Sequence, residues 1–356
     1  MNIIRSIGAA GPLFLAASAS LAQSISPALH SATIGLGETI HLDRTITLSA
    51  QGASRVDVIF LADNTGSMSG IVNKAKSGAT SIMTGLRSAG DYHFGVARYH
   101  ADPSEGVTSS RAFNTLAPLS SDVVAAQKAI NTWNASGGGD TAEANYFALK
   151  NVADTSVWRA DAQHIVVWFG DAPSHTETTD RGDAISALAA VDAKVVAFNS
   201  RTAGNGIDGT YGTDTKQASS IIAETGGSLT NSFSSVTAET FVAKVTEQIT
   251  EATSSLDLRF GSTLTDSGLS LAFTCVDVLG CDGVAGGESR SFKISITGVR
   301  VGTYAFDVYA AGVSAIGREV ITVTSVPEPQ AYALVFSSLA VLGWLRRRQQ
   351  VKGPMA

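Results

Sequence analysis

Short apolar segments alternate with amphipathic stretches between residues 55 and 252. The apolar segments are rich in β-branched and aromatic residues, which favours strands at residues 56–61, 92–97, 164–169 and 194–198. The intervening stretches carry apolar residues at spacings of three and four, which predicts helices at residues 71–86, 121–133, 143–152, 183–191, 215–225 and 237–253. Strands of this kind separated by helices indicate a doubly wound α/β domain with a mostly parallel sheet, over residues 55–253.

The pattern changes after residue 254. Polar and apolar residues alternate, as at residues 291–296 and 304–309, and glycines interrupt the runs. This alternation predicts antiparallel strands, and we expect a smaller all-β sandwich domain over residues 254–325. Residues 23–54 are also β-rich, with a strand at residues 45–48, and the sequence leaves open whether they pair with the later strands.

Composition agrees with this division. A chain of 356 residues exceeds what one hydrophobic core usually organises, so about two folded domains are expected. Hydrophobic residues make up 44% and charged residues 16%, a balance that excludes a largely disordered chain. The net charge is −6 and no long basic run precedes the extreme C-terminus, so no nucleic-acid partner is expected.

The first 22 residues have the organisation of a secretory signal peptide. Arg5 provides the positive charge, residues 7–19 are apolar and small, and residues 20–22 offer a cleavage site. The alternative is a buried N-terminal helix, which Gly8, Gly11 and Pro12 disfavour. We therefore predict an exported protein whose mature chain begins near Gln23.

The C-terminal residues 326–356 have three parts in a fixed order. A proline-containing motif, an apolar segment at residues 331–345 and an arginine cluster follow one another; the motif and cluster residues are Pro327, Glu328, Pro329, Arg346, Arg347 and Arg348. This tail resembles the PEP-CTERM sorting signal, which implies processing by an exosortase and delivery to the outside of a Gram-negative cell. The alternative is an ordinary membrane anchor, although the apolar segment is shorter than the roughly 20 residues of a full span.

Cys275 and Cys281 are the two cysteines of the chain. In an exported protein, this close spacing favours a disulfide that closes a small loop. A structural zinc site would need four ligands, and no histidine lies nearby. We interpret the pair as structural.

Candidate metal ligands follow the first strand of the α/β domain. Asp63, Thr65 and Ser67 alternate in a loop that contains Gly66 and leads into a helix. Ligands of open parallel sheets gather at the carboxyl ends of strands. One carboxylate and two hydroxyls are hard oxygen donors, which Mg²⁺, Ca²⁺ and Mn²⁺ prefer. Asp63 by itself would also serve as a helix N-cap.

Two later segments offer further oxygen donors. The first contains Asp140, Thr141 and Glu143, and the second places Asp171 at the end of another predicted strand. Both segments are predicted to lie at the same edge of the sheet as Asp63. The sequence therefore predicts a metal site assembled from three loops.

The Asp63-x-Thr65-x-Ser67 motif resembles the Asp-x-Ser-x-Ser motif of the von Willebrand factor type A family, and the likeness extends over residues 55–252. It implies a metal-ion-dependent adhesion site, with threonine in place of the first serine. The later loops look most like those of integrin β-subunits, which implies Glu143 and Asp171 as the remaining ligands. Thr141 is the alternative to Glu143, as in the more widespread version, and Asp140 is expected to support the ligands.

The chain departs from the integrin pattern in the residues that hold flanking metals. Gly70 and Ile71 stand where integrin β-subunits have two acidic residues, and Tyr99 falls where another aspartate would be. We therefore expect a single divalent cation, with Mg²⁺ preferred over Ca²⁺ or Mn²⁺.

Two further sequence features near the predicted metal ligands are not assigned a functional role. Arg181-Gly182-Asp183 spells a tripeptide that some integrins bind, but we interpret Asp183 as the N-cap of the helix that follows. His175 lies near Asp171, and we interpret it as an exposed loop residue rather than a ligand.

No catalytic residue is predicted. Haloacid-dehalogenase-like hydrolases also begin their site with a strand-end aspartate, but they need a second aspartate where this chain has Thr65. The chain also lacks a Gly-x-Ser-x-Gly elbow and a Walker loop.

The expected function is metal-dependent binding or adhesion at the cell surface or in the extracellular matrix. The partner would be a protein or exopolysaccharide that presents a carboxylate to the metal. The C-terminal segment would contact the membrane before exosortase processing. The alternative is a structural matrix protein whose metal only stabilises the fold.

Overall fold

The computed structural model describes residues 23–138 and 141–325. The predicted signal peptide, the C-terminal sorting signal and Asp140 lie outside the described residues. Within those two ranges, no helix has both the length and the apolar character needed to cross a membrane.

The described residues begin with three strands, β1 (Ser24–Ser26), β2 (Leu29–Gly35) and β3 (Thr39–Thr47). Their burial alternates along the chain, as expected for strands with one face on a core. The segment ends at residues 48–54, which lead directly into the α/β domain.

The α/β domain contains six strands that form one sheet. They are β4 (Arg55–Asp63), β5 (Asp91–Tyr99), β6 (Phe113–Ser120), β7 (Gln163–Gly170), β8 (Ala193–Asn199) and β9 (Gly227–Thr230). Seven α-helices accompany them in the described part of the domain: α1 (Ser69–Arg87), α2 (Ser109–Ala112), α3 (Val123–Asn131), α4 (Asn145–Thr155), α5 (Arg181–Ala190), α6 (Gln217–Thr225) and α7 (Ala238–Thr253).

The strand order is β6-β5-β4-β7-β8-β9, and only β6 is antiparallel to its neighbour. Separate apolar cores cover the two faces of the sheet. The doubly wound α/β prediction is confirmed. The hydrophobic pattern does not predict the edge strands β6 and β9, because β6 is only partly buried and contains Pro118, and β9 has four residues.

Helix boundaries follow the predicted periodicity closely, with one correction. The N-cap of α5 is Asp180, whose side chain accepts a hydrogen bond from the Asp183 N–H at 2.8 Å. The prediction that Asp183 is the cap is therefore wrong. Aspartate is a preferred N-cap residue, so both Asp180 and Asp183 are candidates from the sequence. The backbone places Asp180 at the extended position that precedes the helix.

The remaining strands follow α7. They are β10 (Ser255–Leu256), β11 (Phe260–Ser262), β12 (Leu269–Cys275), β13 (Val284–Ala285), β14 (Ser289–Gly298), β15 (Gly302–Ala310) and β16 (Gly317–Thr324). Two four-stranded sheets result, with orders β1-β3-β14-β12 and β11-β15-β16-β2, and β10 pairs with β13. The N-terminal strands thus pair with the C-terminal ones, and the α/β domain is inserted between them.

The two four-stranded sheets pack face to face. The rings of Phe260 in one sheet and Phe292 in the other stack with centroids 4.1 Å apart, and Ile46, Ile294 and Ile321 are fully buried. Cys275 at the end of β12 forms a disulfide with Cys281 in the loop before β13.

A buried ion pair connects these sheets. Arg44 on β3 donates from Nε to Oε1 of Glu319 on β16 at 3.1 Å, and the two residues are 2% and 0% exposed. His30 Nδ1 lies 3.3 Å from the other carboxylate oxygen. Both side chains are buried, so each charge depends on its partner.

We expect Glu319→Ala to destabilise the protein by about 3–5 kcal/mol, because Arg44 would be left buried without a counter-charge. Urea unfolding measures this loss. The control is Arg318→Ala, which removes a half-exposed arginine that pairs with Asp307 at 2.8 Å and should cost about 1 kcal/mol or less. Equal losses in both variants would contradict the prediction.

Candidate metal centre

Asp63 is the last residue of β4 and is fully buried. Its Oδ1 accepts a hydrogen bond from the Thr65 N–H at 2.7 Å. Its Oδ2 is also buried, and no described group donates a hydrogen bond to it. A buried carboxylate oxygen without a donor is costly, so this atom is suited to a proton or a cation.

The loop after Asp63 is held by tight backbone contacts. The Gly66 N–H donates to the Gly137 carbonyl at 2.9 Å, and a Cβ at residue 66 would lie 3.2 Å from that carbonyl oxygen. Glycine allows this close approach, and a short 3-10 turn over Gly66–Met68 then leads into α1.

Ser67 connects this loop to Asp171, which directly follows β7. The Ser67 hydroxyl donates to Asp171 Oδ1 at 3.0 Å and lies 3.4 Å from the Thr65 hydroxyl. Three of the predicted donors from two loops therefore meet above the end of β4. Strands β4 and β7 are parallel neighbours, which explains why their carboxyl ends bring these side chains together.

Glu143 reaches the same place from a third loop. Its N–H donates to the Pro173 carbonyl at 2.9 Å, and its carbonyl accepts from the His175 N–H at 3.0 Å. A Cβ at Gly138 would lie 3.9 Å from both Glu143 Oε1 and the Thr65 Cβ. The Glu143 carboxylate is thus close to the Asp63 loop.

An open cavity of about 940 Å³ lies over these groups. Ser67, Thr141, Glu143 and Asp171 line it, and Asp63 and Thr65 lie below with 0% and 2% exposure. Thr141 and Glu143 both line the cavity, so the position of either residue is compatible with its being the ligand from the second loop. Thr141 is exposed, whereas Glu143 is 4% exposed.

Burial raises the pKa of Asp63 to about 7. Hydrogen bonds from Thr65 oppose this shift, and the nearby charge of Asp171 adds to it. Without a cation, the folded protein therefore favours the protonated form of Asp63 at mildly acidic pH.

The pKa of Tyr99 is also affected by the carboxylates of the site. Its side chain is fully buried, donates to the Phe169 carbonyl at 3.1 Å and accepts from Trp168 Nε1 at 2.9 Å. Burial raises its pKa well above the usual range, and the charges of three carboxylates raise it further: Asp63, Glu143 and Asp171.

The donor set fits a hard divalent cation. No three His, Cys, Asp or Glu side chains within residues 23–138 and 141–325 form a group that could hold a metal ion. Coordination would therefore depend on the Thr65 and Ser67 hydroxyls together with the carboxylates. Asp63 Oδ2, which receives no hydrogen bond from the described groups, supports this fit. A cation would coordinate this oxygen and offset the repulsion between the carboxylates of the site.

The sequence reasoning misses Arg201, which lies two residues after β8. Its Nη2 is 2.9 Å from Asp171 Oδ2, and its side chain is 56% exposed on the cavity wall. Arg201 partly neutralises Asp171 and leaves its own outer face to solvent. The signal that could have identified it is its position at the carboxyl end of a parallel strand.

His175 requires a correction, because it is buried rather than exposed. Its ring nitrogens lie 3.4 Å from Glu105 and 3.1 Å from Glu177, and the ring packs on Tyr211. It belongs to a polar cluster beside the cavity and does not line the cavity itself. Two acidic partners from separate segments account for its burial, and the sequence alone does not bring them together.

Arg181 is also engaged within the fold. It pairs with Asp214 at 2.8 Å and donates to Ser220 at 3.1 Å. At the predicted flanking-metal positions, Gly70 is exposed, Ile71 is buried, and the first turn of α1 contains no acidic residue.

Comparison with known families matches residues 57–251 to the von Willebrand factor type A domain. Comparison with curated proteins found no match.

Solved structures that are similar to the chain include the following three. The von Willebrand factor type A protein from Catenulispora acidiphila is 16% identical with a TM-score of 0.42, covering 86% of this chain and 75% of that one. The pilus adhesin SpaC from Lactobacillus rhamnosus GG is 8% identical with a TM-score of 0.36, covering 80% of this chain and 45% of that one. Proximal thread matrix protein 1 from the mussel byssus is 17% identical with a TM-score of 0.41, covering 60% of this chain and 50% of that one.

We expect the protein in EDTA to lose stability as the pH rises from about 4 to about 7. The pKa of Asp63 is about 7 in the folded protein and 3.8 ordinarily. Protonated Asp63 therefore contributes its full stabilisation below pH 3.8, and this stabilisation is lost as the pH rises through 7. The full contribution is at most about 4 kcal/mol, since one pKa unit corresponds to about 1.4 kcal/mol.

Urea unfolding in EDTA at several pH values measures this loss. Asp63→Asn cannot titrate and should remove most of the pH-dependent difference over this range. An unchanged pH profile in the Asn variant would show that Asp63 is not the group responsible.

Proposed function

This chain belongs to the von Willebrand factor type A domain family, and we propose that it is an exported binding or adhesion protein that engages partners through a divalent cation. The observation that carries the proposal is the buried Asp63 Oδ2, which has no hydrogen-bond donor among the described groups and lies beneath an open cavity. The proposed ligands come from three loops: Asp63, Thr65, Ser67, Glu143 and Asp171.

When bound, the cation supplies a Lewis-acidic position that accepts a carboxylate oxygen of the partner. The residues of the chain do the rest. Asp63 anchors the site from below, and Ser67 and Asp171 are already joined by a 3.0 Å hydrogen bond. Arg201 presents its exposed guanidinium on the cavity wall, where it can hydrogen bond to the same acidic group. We propose Mg²⁺, with Ca²⁺ or Mn²⁺ as alternatives that suit the same oxygen donors.

The proposed partner is a protein or an exopolysaccharide that presents a carboxylate. The cavity wall supports a polar partner, because serine and threonine residues line it together with Arg201; they are Ser200, Thr202, Ser232, Ser234 and Ser235. We propose binding without catalysis, since Thr65 stands where a phosphotransfer enzyme of this strand-end type needs its second aspartate.

A structural matrix role is the second candidate. The α/β domain is fastened to the β-sandwich, since the Gly312 carbonyl accepts from Ser54 and Arg55 at 2.8 and 3.3 Å, and the Gly312 N–H donates to Asp161 at 3.0 Å. A cation in such a scaffold would stabilise the fold and recruit no partner.

We expect Asp63→Ala to abolish Mg²⁺ binding and partner binding together, because it removes the buried anchor of the site. Isothermal titration calorimetry measures the metal. A pull-down from cell-surface protein and polysaccharide extracts, with and without EDTA, measures the partner.

Asp154→Ala is the matched control, since it removes a surface aspartate of the same domain that pairs with Lys150. It should leave both measurements unchanged. Mg²⁺-dependent capture that persists in Asp63→Ala would refute the adhesion mechanism. Metal binding that raises the melting temperature with no EDTA-sensitive partner would favour the scaffold.

We also propose that the chain is exported and sorted through its C-terminal signal. The Cys275–Cys281 disulfide supports an oxidising compartment. Exosortase would act on the tail after the apolar segment has entered the membrane. Mass spectrometry of the protein from cells should find an N-terminus near Gln23 and a C-terminus near Val326; a retained Arg346–Arg348 cluster would instead indicate an uncleaved anchor.

A further inference from the structure

A second polar cavity of about 470 Å³ lies beside the loop that follows Asp63. Its walls come from the ends of β4, β5 and β6, from α2 and from the segment after α3. The Ser136 N–H donates to the Asn64 carbonyl at 2.9 Å, so the last of these segments is fixed to the loop. None of the proposed metal ligands lines this cavity.

Two arginines of this cavity have no counter-charge among the residues that the structure describes. Arg98 lies near the end of β5 and Arg111 on α2, and no carboxylate of residues 23–138 and 141–325 lies within 4.0 Å of either guanidinium. A Cβ at Gly137 would lie 3.6 Å from both Arg111 Nη2 and His100 Nε2, so these groups converge over the same glycine. In a chain of net charge −6, two such arginines form a local site for an anion.

Asn64 provides an independent observation. It lines the cavity and is 2% exposed, yet neither its amide nitrogen nor its amide oxygen has a hydrogen-bond partner in the structure. Buried polar atoms of this kind usually have partners. The amide offers one donating and one accepting group, which a polar ligand can satisfy together.

His100 adds a further accepting atom. Its Nε2 lies 2.7 Å from the Ser136 carbonyl and must donate to it, so in the tautomer with one N–H the accepting nitrogen is Nδ1. This Nδ1 is buried and has no partner. The cavity therefore combines guanidinium groups, which suit a carboxylate, with neutral acceptors, which suit hydroxyl groups.

We propose that this cavity binds a carboxylated sugar, with Arg98 and Arg111 holding the carboxylate and Asn64 and His100 hydrogen bonding to hydroxyls. A simple inorganic anion would satisfy the arginines and leave the acceptors of Asn64 and His100 unpaired. A neutral sugar would do the reverse. The cavity volume lies within the range of small-molecule sites, about 300–1,000 Å³. The proposal goes beyond the metal-dependent function and does not require a metal.

The probe is glucuronate, titrated into the mature chain in EDTA and followed by NMR or calorimetry, with glucose and sulfate as comparisons. Glucuronate should bind at least about tenfold more tightly than either, since each comparison loses charge-assisted or hydroxyl hydrogen bonds. Because EDTA removes any metal, the result is independent of the metal centre and of its proposed function.

Arg111→Gln should weaken glucuronate binding at least about tenfold, and Arg98→Gln should do the same. Arg111 is exposed on a short helix, so its variant tests the proposal even if Arg98→Gln destabilises the sheet. Arg300→Gln is the control, because Arg300 is an exposed arginine of the sandwich that pairs with Asp266.

Three outcomes would overturn the proposal. The first is no glucuronate binding to the folded wild-type protein. The second is sulfate binding as tight as glucuronate binding, which would mark a simple anion site. The third is glucuronate affinity that Arg111→Gln leaves unchanged.

Discussion

The burial of Asp63 at the end of β4 is the constraint on which the candidate site depends. A carboxylate removed from water must be protonated, paired or coordinated, and here Oδ2 has no hydrogen-bond donor among the described groups. Burial and the nearby charge of Asp171 instead disfavour the ionised form of Asp63 in the absence of a cation. This unbalanced environment is the physical basis of the proposed metal centre.

The topology of the sheet produces that environment. Parallel pairing of β4 with β7, and of β7 with β8, places Asp63, Asp171 and Arg201 along one edge. The loop that contains Glu143 is drawn to the same edge by its backbone bonds to Pro173 and His175. The strands of the β-sandwich come before and after the α/β domain in the sequence. The sandwich contacts that domain through Gly312, at the opposite end of β4 from Asp63.

The segment around Ser136 and Gly137 gives the edge two distinct surfaces. Its bonds to Asn64 and Gly66 fix the Asp63 loop, and its outer side forms a wall of the cavity that contains Arg98 and Arg111. One surface is rich in carboxylates, and the other contains two guanidinium groups that pair with no carboxylate in the described part of the chain. The same short loop thus separates a region suited to cations from a region suited to anions.

The sequence by itself determined the fold class and the donors closest in sequence. The fold class was predictable because hydrophobic periodicity distinguishes buried strands from amphipathic helices. The donors Asp63, Thr65 and Ser67 were predictable because they are neighbours in one loop. The chain pattern could not assign the edge strands β6 and β9, the burial of His175, or the pairing of residues 23–54 with the last strands. Arg201 and the cavity of Arg98 and Arg111 were likewise decided by tertiary structure. The edge strands have weak local patterns, whereas the other features depend on contacts between residues that the fold brings together, and these contacts set which charges are paired.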